Sequence, residues 1–249
     1  MNTEVNTSNS KGIATIEFHH PKGNSLPRVL LDKLSNAINA AGKNSEVKVI
    51  LLKSRGKTFC AGASFDELLA IENVNQANSF FVGFGSLIEA IKDCPKFIVA
   101  EVQGKAVGGG VGIIAACDYA IASKNASIKL SELSLGFGPF VIATAVIRKI
   151  GVSAFSTLTI DSTNWKSAEW CLSKGLFNDL VNDGEELNSK SFELCNSLSG
   201  YSPDAMKAIK NLLWDGYTDL ADKHLKRAKL SGQLSQSEIT QQILAKFRK

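Results

Sequence analysis

Apolar and polar positions alternate along the chain in two rhythms. Gly12 to Phe18 alternates with the period of two expected of a half-buried strand. Val47 to Leu52 and Phe97 to Val102 are denser apolar runs rich in valine and isoleucine, suited to strands covered on both faces. Between them, Arg28 to Ala41 sets Val29, Leu30, Leu34, Ala37, Ile38 and Ala41 near helical spacing. Phe65 to Ile71 predicts a short helix, and Asn78 to Ile91 a longer one with Phe80, Phe81, Phe84, Leu87, Ile88 and Ile91 mostly on one face. Tyr119 to Ala122 and Ser127 to Leu130 read as short strands. Strands alternating with helices predict an α/β fold with a parallel sheet built from crossovers. From about Phe140 the pattern turns mostly helical, punctuated by Gly151, Gly175, Gly184 and Gly200, and Ser202-Pro203 predicts a helix start.

Two glycine-bearing turns follow predicted strands. The first lies in Ser54 to Phe65 and the second contains Gly108, Gly109 and Gly110. Glycine permits positive φ and close backbone approach, and the first turn of a helix leaves its N–H groups unpaired. A pair of such turns aimed at one point makes a two-donor site for an oxyanion. Taken alone, three glycines serve equally well as a close strand-to-helix packing joint. Gly56-Lys57-Thr58 copies the end of a phosphate loop, but Leu51 stands where its first glycine is required.

Composition narrows the class. A chain of 249 residues, 44% hydrophobic, has room for one large α/β domain and its core. A net charge of +4 suits phosphate-bearing small molecules and argues only weakly for nucleic acid. The five cysteines show no C-x-x-C spacing, as expected of reduced core thiols in a cytoplasmic protein. The three histidines are too scattered to suggest a metal site. Met1 to Ser10 is polar and no stretch approaches a membrane span, so no membrane association is expected.

At four places the residues resemble the crotonase, or enoyl-CoA hydratase/isomerase, superfamily. These are Phe59-Cys60-Ala61-Gly62-Ala63-Ser64-Phe65, then Gly104 to Gly112 followed by Cys117-Asp118, then Glu132 with Leu135-Gly136, and finally Ser202 to Lys210. Their order and spacing match the family from about Gly12 onward. The resemblance implies a spiral of ββα units over residues 1–195. A C-terminal helical region, 196–249, would mediate a homotrimer or dimer of trimers. It also implies an acyl-CoA thioester substrate, no cofactor beyond the coenzyme A of that substrate, and an enolate held by two peptide N–H groups.

Carried over by position, those donors are Ala63 and Gly109, and the proton-transferring carboxylate is Glu132. Ala61, Gly62, Phe65, Leu68, Gly108 and Arg28 are the further candidates for contact with the coenzyme A ester. Gly112 stands where hydratases of the family carry a second glutamate, which leans the reading toward double-bond isomerisation. Ser64 replaces an aspartate that shapes the turn, and a serine preserves that role. Gly138-Pro139-Phe140 implies an apolar pocket wall. The wider loop around Glu132 also resembles a methylglutaconyl-CoA hydratase branch, active in leucine degradation. Two further readings stand beside the enzyme. One is a non-catalytic acyl-CoA binder, suggested by Gly112; the other is nucleic-acid binding by Lys223 to Lys229, a run that more often marks a solvated helix face.

Overall fold

In the computed structural model, residues 3–182, 184–217 and 219–247 are described. Seven strands and four helices build the first half: β1 (Glu4–Ser10), β2 (Ile13–His19), α1 (Arg28–Lys43), β3 (Val49–Ser54), β4 (Thr58–Cys60), α2 (Phe65–Ala70), α3 (Val74–Asp93), β5 (Phe97–Val102), β6 (Lys105–Val107), α4 (Gly109–Ala116) and β7 (Tyr119–Ser123). After β8 (Ser127–Lys129) and a 3-10 turn at Leu133–Leu135 come α5 (Ala143–Ile160), β9 (Lys166–Ser167), α6 (Ala168–Lys174) and β10 (Asp179–Val181). Four helices finish the chain: α7 (Gly184–Ser199), α8 (Pro203–Leu213), α9 (Leu220–Ser235) and α10 (Glu238–Ala245).

Successive strands are dealt to two sheets. The larger has the order β1-β2-β3-β5-β7-β10 and the smaller β4-β6-β8-β9. Thus β3, β5 and β7 each send the next strand, β4, β6 and β8, into the smaller sheet before the chain returns. This is the expected ββα spiral, with α4 buried along its whole length. The strands from β2 to β10 pair in parallel, and so do β4, β6 and β8.

Alternation along the central strands separates two cores. Ile50 and Leu52 face the main core with the phenylalanines of α3, while Val49 and Leu51 face Leu187 and Cys195 of α7. All five cysteines are buried free thiols, and burial pushes four of them, Cys60, Cys117, Cys171 and Cys195, up to about 12. No described helix is long and apolar enough to cross a membrane.

Two elements correct the sequence reading. The polar opening of the chain forms strand β1, paired antiparallel with β2 through a turn in which Lys11 and Gly12 both have positive φ. Backbone hydrogen bonding holds it, so its side chains need no apolar rhythm. The mostly helical second half also contributes β10, which extends the large sheet beside β7. Elsewhere, Ser202 caps α8 with Pro203 in its first turn, and Gly151 breaks the helical backbone of α5 at φ 76°.

Helix α9 lies along α3. A Cβ on Gly85 would lie 2.9 Å from His224 Cβ, and one on Gly232 would collide with Asn78 Oδ1. His224 Nδ1 also lies 2.7 Å from Glu89 Oε1, and Arg227 hydrogen-bonds Thr144. The run Lys223 to Lys229 therefore has two members, His224 and Ala228, in the core.

Candidate active site

The parallel pairing of β4, β6 and β8 brings their C-terminal ends together. The residues that leave those ends are Ala61–Ala63, Gly108–Gly110 and, shortly after β8, Glu132. Crevices at the carboxyl ends of parallel strands are where α/β folds gather ligands.

The turn after β4 is held from one side by the loop at residues 20–27. Asn24 anchors that loop, donating to the carbonyls of Arg55 and Thr58 at 2.7 Å each. From there Ala61 N–H donates to Gly23 O, Leu26 N–H to Gly62 O and Ser64 N–H to Leu26 O. In an extended segment, successive N–H groups point to opposite sides. With Ser64 N–H turned to the loop, that of Ala63 points away from it and has no protein acceptor among the described residues. Ser64 then caps α2, its Oγ accepting from Glu67 N–H at 3.4 Å, the turn-shaping part expected of it.

The turn after β6 is pinned by Gly108 N–H, which donates to Lys129 O at 2.9 Å. Gly108 has φ 51° and ψ −116°, a conformation that favours glycine. It opens α4, whose first N–H, that of Gly109, has no protein acceptor among the described residues. The glycines also admit their neighbours: a Cβ on Gly110 would lie 2.7 Å from Cys60 Cβ, and one on Gly109 would collide with the Phe84 ring.

Glu132 reaches back over Gly108, where an added Cβ would meet Glu132 Oε1 at 2.7 Å. Its other carboxyl oxygen, Oε2, is buried without a partner. Burial pushes this carboxyl from its ordinary 4.5 to about 7, outweighing a backbone hydrogen bond that favours the charged form. Among the described residues it is the only ionisable group on the wall of a cavity of about 110 Å³. One water needs roughly 10–15 Å³ on that measure, so the cavity admits a short acyl segment.

Of the residues singled out in the sequence, Ala61, Gly62, Ala63, Phe65, Leu68, Gly108, Gly109 and Glu132 all line this cavity. Phe81, Phe84, Gly138, Pro139 and Phe140 join them as the apolar wall. Gly112 does not line it: its side is closed by Ile142, whose Cγ2 would sit 2.5 Å from an added Cβ. Arg28 is also outside the wall, its guanidinium bound to Asp32 and to Ser79 O. Arg55, another basic residue near the first turn, pairs with Glu4 and Glu17. The sequence reading missed Ile142 and Ser231, which only the packing of the 139–142 segment and of α9 brings to the site. Among the described residues no cluster suited to a metal occurs.

Comparison with known proteins gives the same picture. The family model for enoyl-CoA hydratase/isomerase matches residues 8–246. A probable enoyl-CoA hydratase of Bacillus subtilis is 28% identical, over 94% of this chain and 92% of its own. The mitochondrial Delta(3,5)-Delta(2,4)-dienoyl-CoA isomerase of Mus musculus is 23% identical, over 84% of this chain and 68% of its own. In fold, the crystal structure of an enoyl-CoA hydratase from Bacillus halodurans superposes with a TM-score of 0.89 at 22% identity, covering 97% of this chain and 99% of that one. Match length, fold and the convergence of the two glycine turns on Glu132 lead to one assignment: the chain belongs to the enoyl-CoA hydratase/isomerase family.

Proposed function

We propose that the protein moves a double bond along a short enoyl-CoA thioester. Glu132 carries the proton, and the N–H groups of Ala63 and Gly109 hold the thioester oxygen. The observation that carries this reading is the Glu132 carboxyl, raised to about 7 beside two unpaired peptide donors. At neutral pH a sizeable fraction is ionised and able to act as a base, and its conjugate acid is weak enough to be formed yet strong enough to return the proton.

In a 3-enoyl thioester, the carboxylate would take a proton from C2. The C2–H electron pair then delocalises through the thioester, placing negative charge on the oxygen between the two N–H groups. The dienolate takes the proton back at C4, the double bond settles between C2 and C3, and Glu132 is again ionised. Pre-aimed donors of this kind are each worth about 3 kcal/mol of barrier. Hydratases of the family position water with a second carboxylate. Ile142 occupies the Gly112 side, and among the described residues Glu132 is the only carboxylate on the wall, which favours isomerisation.

The test is incubation with a 3-enoyl-CoA and, separately, with crotonyl-CoA, following the ultraviolet absorbance of the conjugated thioester. A rise with the first and little loss with the second is expected. Consumption of crotonyl-CoA alone, or full activity in Glu132→Gln, would overturn the reading. A homotrimer or dimer of trimers belongs to the same proposal. It draws support from Ile209, Leu212 and Leu213 of α8 and Val152 and Ile160 of α5, all exposed, and sedimentation checks it.

A further inference from the structure

Two serines line the cavity beside Glu132, Ser131 and Ser231, and of these the Ser231 hydroxyl is buried without a partner. Ser231 of α9 is 1% exposed and lines the cavity together with Glu132, yet its Oγ has no hydrogen-bond partner. A serine inside a helix commonly returns its hydroxyl to a carbonyl of the preceding turn. Ser235, one turn further on, does so, donating to Gly232 O at 2.8 Å. The Ser231 hydroxyl is left for something else.

Its position is fixed. The close approaches of Gly85 to His224 and of Gly232 to Asn78 leave no space for α9 to slide or roll on α3. Phe81, Phe84, Phe137 and Ile142 line the same cavity and offer no polar atom from their side chains. An unsubstituted acyl chain packed beside Ser231 would leave the buried hydroxyl unpaired, as it already is. An acyl chain bearing oxygen would satisfy it.

We propose that Ser231 is a specificity-determining residue that hydrogen-bonds an uncharged oxygen, a hydroxyl or keto group, carried on the acyl chain away from the reacting carbons. The inference rests on the acyl-CoA reading above. Among the described residues the wall holds no lysine, arginine or histidine, and its only ionisable group is a carboxyl. A second carboxylate on the acyl chain would therefore enter unpaired and against like charge. This chemistry selects a neutral oxygen substituent and disfavours a dicarboxylic acyl group such as methylglutaconyl.

Binding of saturated thioesters tests this without requiring turnover. Calorimetric titration would compare butyryl-CoA with 4-hydroxybutyryl-CoA, hexanoyl-CoA with 6-hydroxyhexanoyl-CoA, and both sets with glutaryl-CoA. The wild-type protein is expected to bind at least one hydroxyacyl ester about tenfold more tightly than its unsubstituted counterpart, and glutaryl-CoA most weakly. In Ser231→Ala the preference should vanish, the hydroxyacyl ester losing about tenfold and the unsubstituted ester changing little. Equal hydroxyacyl-to-acyl ratios in the two proteins, or a preference for glutaryl-CoA, would overturn the role of Ser231 while leaving the acyl-CoA site standing. Failure of the wild-type protein to bind any of these esters would overturn the acyl-CoA reading and this inference with it.

Discussion

Gly112 and Ile142 are in such close contact that a Cβ on the glycine would lie 2.7 Å from the isoleucine Cβ as well as 2.5 Å from its Cγ2. Restoring a glutamate at position 112 is therefore not enough to make a two-carboxylate site. Overpacking of this kind costs about 1–3 kcal/mol, and a chain of this size loses about 2–4 °C of Tm per kcal/mol. Gly112→Glu is expected to lower Tm by several degrees without conferring hydration of crotonyl-CoA. Adding Ile142→Ala should recover part of that loss. Thermal unfolding of the single and double variants checks it, and an unchanged Tm in the single variant would contradict the packing argument.

The raised pKa of Glu132 has a kinetic and a thermodynamic sign. In the proposed isomerisation the ionised form is the base, so kcat/KM should rise with pH through about 7 and then level off. Folding favours the protonated form, because the native value of about 7 exceeds the ordinary 4.5. The associated stability is full below pH 4.5 and is lost as pH rises to about 7. Its size is on the order of 3 kcal/mol at most. Glu132→Gln removes this dependence, so the variant should match the wild-type protein near pH 4.5 and exceed it in stability above pH 7. Urea unfolding at several pH values measures the gap, and a gap that does not widen with pH would count against the buried carboxyl.

Gly108 is constrained twice, by its positive φ and by Glu132 Oε1 lying 2.7 Å from where a Cβ would be. Gly108→Ala should displace the carboxyl and twist the turn that presents Gly109. A loss of kcat of at least about 100-fold is expected, comparable to removing one oxyanion donor. Stopped-flow assays with binding measured in parallel separate this from a loss of affinity.

Away from the cavity, Lys210 and Asp118 form a buried ion pair at 2.9 Å, with side chains 2% and 6% exposed. Lys210 also donates to Lys96 O, and Asp118 accepts from Ile98 N–H, so the pair ties α8 to the start of β5. Lys210→Met leaves Asp118 buried without its partner, at a cost of about 3–5 kcal/mol. Denaturant titration is the check, and a loss below about 1 kcal/mol would contradict a structural role for the pair.

The parts of this site visible in the sequence are those written in local patterns. Gly108 to Gly110 after an apolar run is a strand, a turn and a helix start, and the structure has β6, the turn and α4 there. The phenylalanines at helical spacing mark the buried face of α3, and Ser202-Pro203 marks the start of α8. What was hidden depends on contacts between distant residues. Strand β1 has only Val5 to advertise it and is held by its pairing with β2, while β10 is three residues long and exists because β7 lies beside it. Ile142 and Ser231 carry no motif; they reach the cavity through the loop before α5 and through the docking of α9 on α3. Gly112 shows the limit most clearly, since the sequence reveals a missing carboxylate but not the hydrocarbon that took its space.

The seating of α9 against α3 also fixes when the cavity is closed during synthesis. Phe81 and Phe84 emerge from the ribosome long before residue 231, so a nascent chain has both glycine turns well before it has the wall that α9 supplies. Until the C-terminal segment docks, the side of the chamber that carries Ser231 is absent. Completion of the chamber is thus a late event.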